Sequence, residues 1–177
     1  MINRLSSRAL FALVALICAL ALGYAFYAEY VLKLVPCPLC MFQRVAMGLL
    51  GAIALLAALH GAGRGGTRAY ALLGFLAAGL GAAIAGRHVW LQSLPKDQLP
   101  SCAPPLDYMW DNMPFGDLLR TVMMTSGECA DIDWQFLGLS MPFWTLMAFV
   151  ALGLTMLWLL FSPGAPRRAV LVERRYT

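Results

Sequence analysis

The chain is short of charge. Lys, Arg, Asp and Glu make up 12% of its 177 residues, about half the 25% usual for a soluble domain. With 61% hydrophobic residues and a mean hydropathy of +0.73, that shortage excludes a disordered chain, which needs high charge and low hydrophobicity. It equally argues against a water-soluble globule. Acidic charge is missing locally as well: segments 1–8, 64–68 and 162–177 hold eight of the thirteen basic residues but only one of the nine acids. The net charge of +4 is therefore a matter of sidedness, and no nucleic-acid patch is left to explain.

What the chain has instead is long charge-free runs. Residues 9–28, 45–63, 69–86 and 141–161 carry no charged side chain over 20, 19, 18 and 21 positions. At 1.5 Å per residue each is long enough to cross a hydrocarbon core of about 30 Å. The sequence predicts an all-α membrane protein, a four-transmembrane-helix bundle forming one integral domain over 1–177. Its spans run at about 9–28, 42–61, 69–88 and 141–161, with loops at about 29–41 and 89–140. Gly48, Gly51, Gly74, Gly79 and Gly81 are expected to let helix backbones approach closely. Arg4 and Arg8 ahead of the first run also describe a cleavable signal peptide, but its 20 residues exceed the usual 7 to 15 of a signal core.

Cytoplasmic loops collect Lys and Arg. Arg4 and Arg8, Arg64 and Arg68, and Arg167, Arg168, Arg174 and Arg175 fall on one side of alternate crossings, which is therefore the cytoplasmic one. The opposite side receives Glu29 and Lys33, then a long segment with Lys96, Arg120 and the acids Asp97, Asp107, Asp111, Asp117, Glu128, Asp131 and Asp133. Four of the five cysteines lie there too: Cys37 and Cys40 in the first outer loop, Cys102 and Cys129 in the second. Thiols outside the cytoplasm are expected to pair, and the two same-loop pairs suggest themselves. Closing the 28-residue loop between Cys102 and Cys129 would stabilise by roughly 3.6 kcal/mol, against about 1.9 for a four-residue ring. The second pair could thus be a plain staple. The C-x-x-C ring is a poor staple, and its spacing is associated with lowered thiol pKa and redox work. Zinc is disfavoured by the wide spacing of the second pair and the oxidising compartment, so no metal is expected.

Pro38 suits the first turn of a helix, which puts Cys40 among unpaired amides at the positive end of the helix dipole. Arg44, four residues on, shares that helical face and is expected to stabilise a Cys40 thiolate. A reactive dithiol at the lip of a membrane bundle is placed to pass electrons to a lipid-soluble acceptor, and a quinone fits. His88 and Met141, at comparable depth, are candidates to complete the pocket. Cys18 reads as a small apolar residue within the bundle. In the second loop, Phe115, Leu118, Leu119, Val122 and Met123 recur at helical spacing, predicting a short helix on the membrane surface. Pro95, Pro100, Pro104, Pro105 and Pro114 mark the rest as irregular. Asp131 and Asp133 read as solvated loop charges.

Three stretches carry a family resemblance: CPLCMFQR over 37–44, HVWLQ over 88–92 and WQFLGLSMPFW over 134–144. The sequence resembles the disulfide bond formation protein B (DsbB) family over nearly its whole length. The resemblance implies a bacterial inner-membrane protein with cytoplasmic termini and periplasmic redox cysteines. It further implies that Cys102 and Cys129 exchange with a periplasmic thiol oxidase of the DsbA type, Cys102 taking the mixed disulfide. Electrons would then move to Cys37 and Cys40, and Cys40 as thiolate would engage a bound quinone, ubiquinone or menaquinone. Arg44 would polarise the quinone, with His88 and Met141 shaping its pocket. A partner of that type is a strong oxidant, so reoxidising it needs a strong acceptor. Two other readings stay open: a thiol oxidoreductase of the same layout with a dedicated substrate, and a non-catalytic membrane protein with a stapled loop.

Overall fold

The four charge-free runs become four long helices. The computed structural model describes residues 7–95, 100, 101, 104, 106–125, 127–130 and 134–161, except the side chains at 106, 107, 119, 123, 125 and 128. In chain order the helices are α1 (Ser7–Tyr30), α2 (Pro38–His60), α3 (Arg64–Ser93), α4 (Leu106–Asn112), α5 (Phe115–Thr125) and α6 (Met141–Phe161). A 3-10 turn (Gly127–Ala130) follows α5, and two short strands, β1 (Gln135–Phe136) and β2 (Leu139–Ser140), precede α6. Helices α1, α2, α3 and α6 are long and apolar enough to cross a membrane.

Local chemistry sets the helix ends. Cys37 is the extended N-cap of α2 and Pro38 its first helical residue, where a missing N–H costs nothing. Gly61 ends α2 in the left-handed region (φ 59°) and its N–H returns to the Ala57 carbonyl at 3.2 Å, a conformation that glycine adopts without Cβ strain. Helix α3 runs past Arg87 and His88 to Ser93, because nothing breaks it before Leu94. That residue is extended (φ −78°, ψ 143°), as the position before Pro95 requires.

α3 lies along α6, α1 along α2, and α2 against α3. Phe11, Val14 and Cys18 from α1 meet Leu50 and Ala54 from α2, Ala78 and Ala85 from α3, and Phe149 and Met156 from α6 in one apolar core. Three of the predicted glycines hold helices together: a Cβ on Gly81 would stand inside the Phe149 ring, one on Gly74 would lie 2.9 Å from Met156 Sδ, and one on Gly51 2.9 Å from Cys18 Cβ. Gly48 has only ordinary contact with Leu22, and Gly79 faces open space. These two therefore have no role in close approach. Arg8 stands beside Gly61, so the start of α1 and the α2–α3 turn share one end of the bundle.

The other end carries its own small core, with Leu39, Ile84 and Leu91 roofed by Met109 of α4, Leu118 and Val122 of α5, and Cys129 of the 3-10 turn. Helix α5 therefore turns Leu118 and Val122 onto the bundle while Phe115, Arg120 and Met124 face outward. The described part of the second loop holds more regular structure than its prolines imply. Besides α4, it holds a hairpin in which Gln135 pairs with Ser140 and Phe136 with Leu139. Leu137 (φ 53°) and Gly138 (φ 77°) form the turn, the positive φ at both positions marking a two-residue type I′ connection. Trp134 stacks on Phe136 at 6.1 Å and meets Tyr24 of α1 edge-on at 6.0 Å, while Trp144 Nε1 donates to the Phe136 carbonyl at 3.2 Å. The Ser140 hydroxyl donates to Gln92 Oε1 at 2.6 Å. The hairpin is thus pinned to α1, α3 and α6 at once.

Candidate redox site

Three sulfurs meet under this roof. Pro38 starts α2 one residue after Cys37, so the first turn brings Cys40 back over Cys37, with their Sγ atoms 3.1 Å apart. From the 3-10 turn, Cys129, 1% exposed, brings its Sγ within 4.8 Å of Cys37 Sγ. Cys37, Cys40 and Cys129 are free thiols here, and Cys37 is the middle one. The pairing of Cys102 with Cys129 has its first partner outside the described residues, as do Asp131, Asp133, Lys96 and the tail arginines. What the structure gives Cys129 as a neighbour is Cys37. Just before Cys102, the carbonyl of Ser101 accepts from the Gly127 N–H at 3.4 Å, and the Pro100 carbonyl occupies the space a Cβ on Gly127 would need. The glycine lets the two strands of the loop cross in contact.

Proton affinity separates the two loop sulfurs. The Cys37 hydrogen bond favours a thiolate on Cys129 and holds its pKa below the ordinary thiol value; burial opposes this, and the Leu39 amide and nearby His88 add to it. Cys37 is pushed the other way by its hydrogen bonds to Cys129 and then Cys40, with burial adding. Cys37 therefore holds its proton more tightly than Cys129, and its S–H is directed at Cys40 Sγ at 3.1 Å.

His88 closes the group. It is 2% exposed on α3, and its Nδ1 lies 3.1 Å from Gln43 Nε2 of α2, itself 5% exposed. On the other side of the ring, Nε2 lies 3.0 Å from the Cys129 carbonyl and 3.9 Å from Cys37 Sγ. A carbonyl only accepts, so Nε2 carries the proton, and Nδ1 accepts from the Gln43 amide. Cys37, His88 and Cys129 have their donor atoms within 4.8 Å of one another, a spacing a thiophilic ion could bridge. The Nε2 position such an ion would need is occupied by the proton given to Cys129.

Arg44 is placed differently from the expectation. Its guanidinium is taken up by α1: it pairs with Glu29, donates to the Ala25 carbonyl at 3.0 Å and lies 5.3 Å from the Phe26 ring centre. The side chain in contact with Cys40 among the described contacts is Cys37, at 3.1 Å. Met41 Sδ lies 3.9 Å from Arg44 Nη1, so the arginine still borders the first turn of α2. Met141 opens α6, its carbonyl accepting from the Thr145 hydroxyl at 3.0 Å, and among the described contacts it does not join the sulfurs. Sequence reading missed Gln43 and Glu29. Gln43 carried a usable signal, a polar amide at an inward position of an apolar helix; Glu29 could have been found as the one acid at the outer end of α1.

Comparison with known proteins agrees with this layout. Residues 7–159 match the family described as disulfide bond formation protein DsbB. Proteins named disulfide bond formation protein B are 50% identical over 161 residues in Nitrosococcus oceani (91% of this chain, 95% of the relative). In Xanthomonas campestris the identity is 49% over 162 residues (91% and 94%), and in Hahella chejuensis 47% over 163 (92% and 98%). With four spans, two cysteine-bearing loops and a likeness running almost end to end, the chain belongs to the DsbB family of disulfide bond formation proteins.

Proposed function

We propose that this protein oxidises a periplasmic dithiol protein of the DsbA type and passes the two electrons to a membrane quinone. In balance, a partner dithiol and a quinone become a partner disulfide and a quinol, the two thiol protons going to the product. The supporting observation is the gathering of three sulfurs, in which Cys129 of the second loop lies within 4.8 Å of Cys37, the first cysteine of the C-x-x-C, and Cys37 lies 3.1 Å from Cys40. A loop that merely needed stapling would have no use for that contact. A thiolate attacks a disulfide along the S–S axis, so Cys129 and Cys37 stand where electrons arriving at the second loop can cross to the first. Cys37 is then resolved by Cys40 in the adjoining turn.

The residues fit a quinone as electron acceptor. Cys40 is half-buried in the first turn of a spanning helix, among amide donors and at the membrane boundary. Arg44 has five N–H donors, of which Glu29 and Ala25 take only some, and the rest are available to a quinone carbonyl. When bound, the quinone supplies the driving force for disulfide formation. The protein binds and orients it, holds Cys40 next to it, and keeps the sulfurs under an apolar roof away from bulk thiols. The charge asymmetry supports cytoplasmic termini, an inner-membrane location and periplasmic cysteines.

The direct test is quinone reduction by the purified protein with a reduced DsbA-type partner. Turnover is expected in the wild type and none in Cys40→Ser. A folded protein with intact cysteines and no quinone turnover would overturn the proposal. Turnover with a different dithiol protein only would replace the partner.

A further inference from the structure

We propose that Gln43 is a positioning residue: by holding His88 Nδ1 as an acceptor, it directs Nε2–H at the Cys129 carbonyl and so clamps the second-loop cysteine onto Cys37. The inference rests on the reading of Cys129 as an exchanging cysteine. It is carried by a continuous chain of contacts, Gln43 Nε2 to Nδ1 at 3.1 Å and Nε2 to the Cys129 carbonyl at 3.0 Å, which joins α2, α3 and the 3-10 turn. Both side chains are more than nine-tenths buried in an apolar setting. A buried amide and imidazole with no partner would be costly there, so each enforces the other's orientation. A neutral imidazole has one donor and one acceptor nitrogen. Without the Gln43 amide, the ring is free to put its proton on Nδ1, and Nε2 would then present a lone pair to a carbonyl oxygen. The contact that seats Cys129 would turn repulsive.

The clamp can be tested with no quinone and no protein partner. In a Cys40→Ser, Cys102→Ser background, diamide takes two electrons and the two thiol protons from Cys37 and Cys129 and leaves a disulfide, followed by mass spectrometry. Gln43→Leu is expected to slow closure about tenfold, the size of one lost hydrogen bond. Gln43→Glu is expected to stay within about twofold, because a carboxylate at Nδ1 favours the doubly protonated ring, which still donates from Nε2. The 15N spectrum of His88 supplies the signature: a protonated Nε2 and bare Nδ1 in the wild type, both protonated in Gln43→Glu. Wild-type closure in Gln43→Leu, or a wild-type ring protonated at Nδ1, would overturn the inference. If Gln43→Leu loses its helical circular dichroism, the His88 spectrum and the Gln43→Glu rate decide. Closure behaving as described while quinone turnover fails would leave the clamp standing and remove the function proposed above.

Discussion

Cys129 owes its acidity to a neighbour. Cys37 beside it favours the charged form of Cys129, while burial works against it. Removing that neighbour in Cys37→Ala leaves burial unopposed by its main counterweight. The pKa of Cys129 should then rise, so the pH at which iodoacetamide half-labels it moves upward and labelling near neutral pH slows; alkylation across a pH series, read by mass spectrometry, checks this. The Arg44–Glu29 pair is a second residue-scale feature, with side chains 15% and 25% exposed. Pairs on open surface contribute about 0–1 kcal/mol, and breaking a fully buried one costs about 3–5. Glu29→Gln is therefore expected to lower stability by an intermediate amount, about 1–3 kcal/mol, as a fall in the thermal midpoint in detergent. On the proposed function it also frees guanidinium donors for the acceptor, so the KM for a quinone should shift along with stability. The partner of Arg44 was not legible in the sequence because helical spacing reports only neighbours on the same helix. Glu29 sits fifteen residues back on α1, brought into reach by a loop whose path the sequence does not specify.

Among the elements, α3 and α6 depend on a missing side chain. Gly81→Ala would drive a methyl into the Phe149 ring, and overpacking of this kind typically costs about 1–3 kcal/mol. A lower thermal midpoint is expected, with partial recovery in Gly81→Ala combined with Phe149→Leu. Gly127 is tighter still, since the atom in the way is the Pro100 carbonyl, which cannot rotate aside. Gly127→Ala should displace the segment leading to Cys102 and slow exchange with the partner protein, measured as the rate of mixed-disulfide formation, while quinone reduction driven by a small dithiol is less affected. The long helices were legible because lipid enforces a simple rule, about twenty residues without charge. Helix α5 was legible because two buried positions four apart, Leu118 and Val122, print a period. Helix α4 was not, for its seven residues show one buried side chain, Met109, and one point has no period. The hairpin escaped for a similar reason: two-residue strands carry no alternation, and Leu137–Gly138 lacks the Asn-Gly signal of such turns.

At the scale of the whole molecule, the spans do two jobs: one end of the bundle is closed by the α2–α3 turn near Arg8, and the other is roofed by α4, α5 and the 3-10 turn over the sulfurs. In the sequence, segments 1–8, 64–68 and 162–177 hold eight of the thirteen basic residues and one of the nine acids, so an alkaline phosphatase reporter fused after Phe161 is expected to stay inactive and one fused after Leu94 to be active. The opposite pattern would invert the assigned sidedness. The position of Cys37 between two other sulfurs has a consequence for bookkeeping of valence. A sulfur can close only one disulfide at a time, so a Cys37 bonded to Cys129 is not bonded to Cys40, and a Cys37 bonded to Cys40 must release Cys129. On the proposed function Cys37 is a turnstile: it closes on the loop cysteine or on its C-x-x-C partner, never on both.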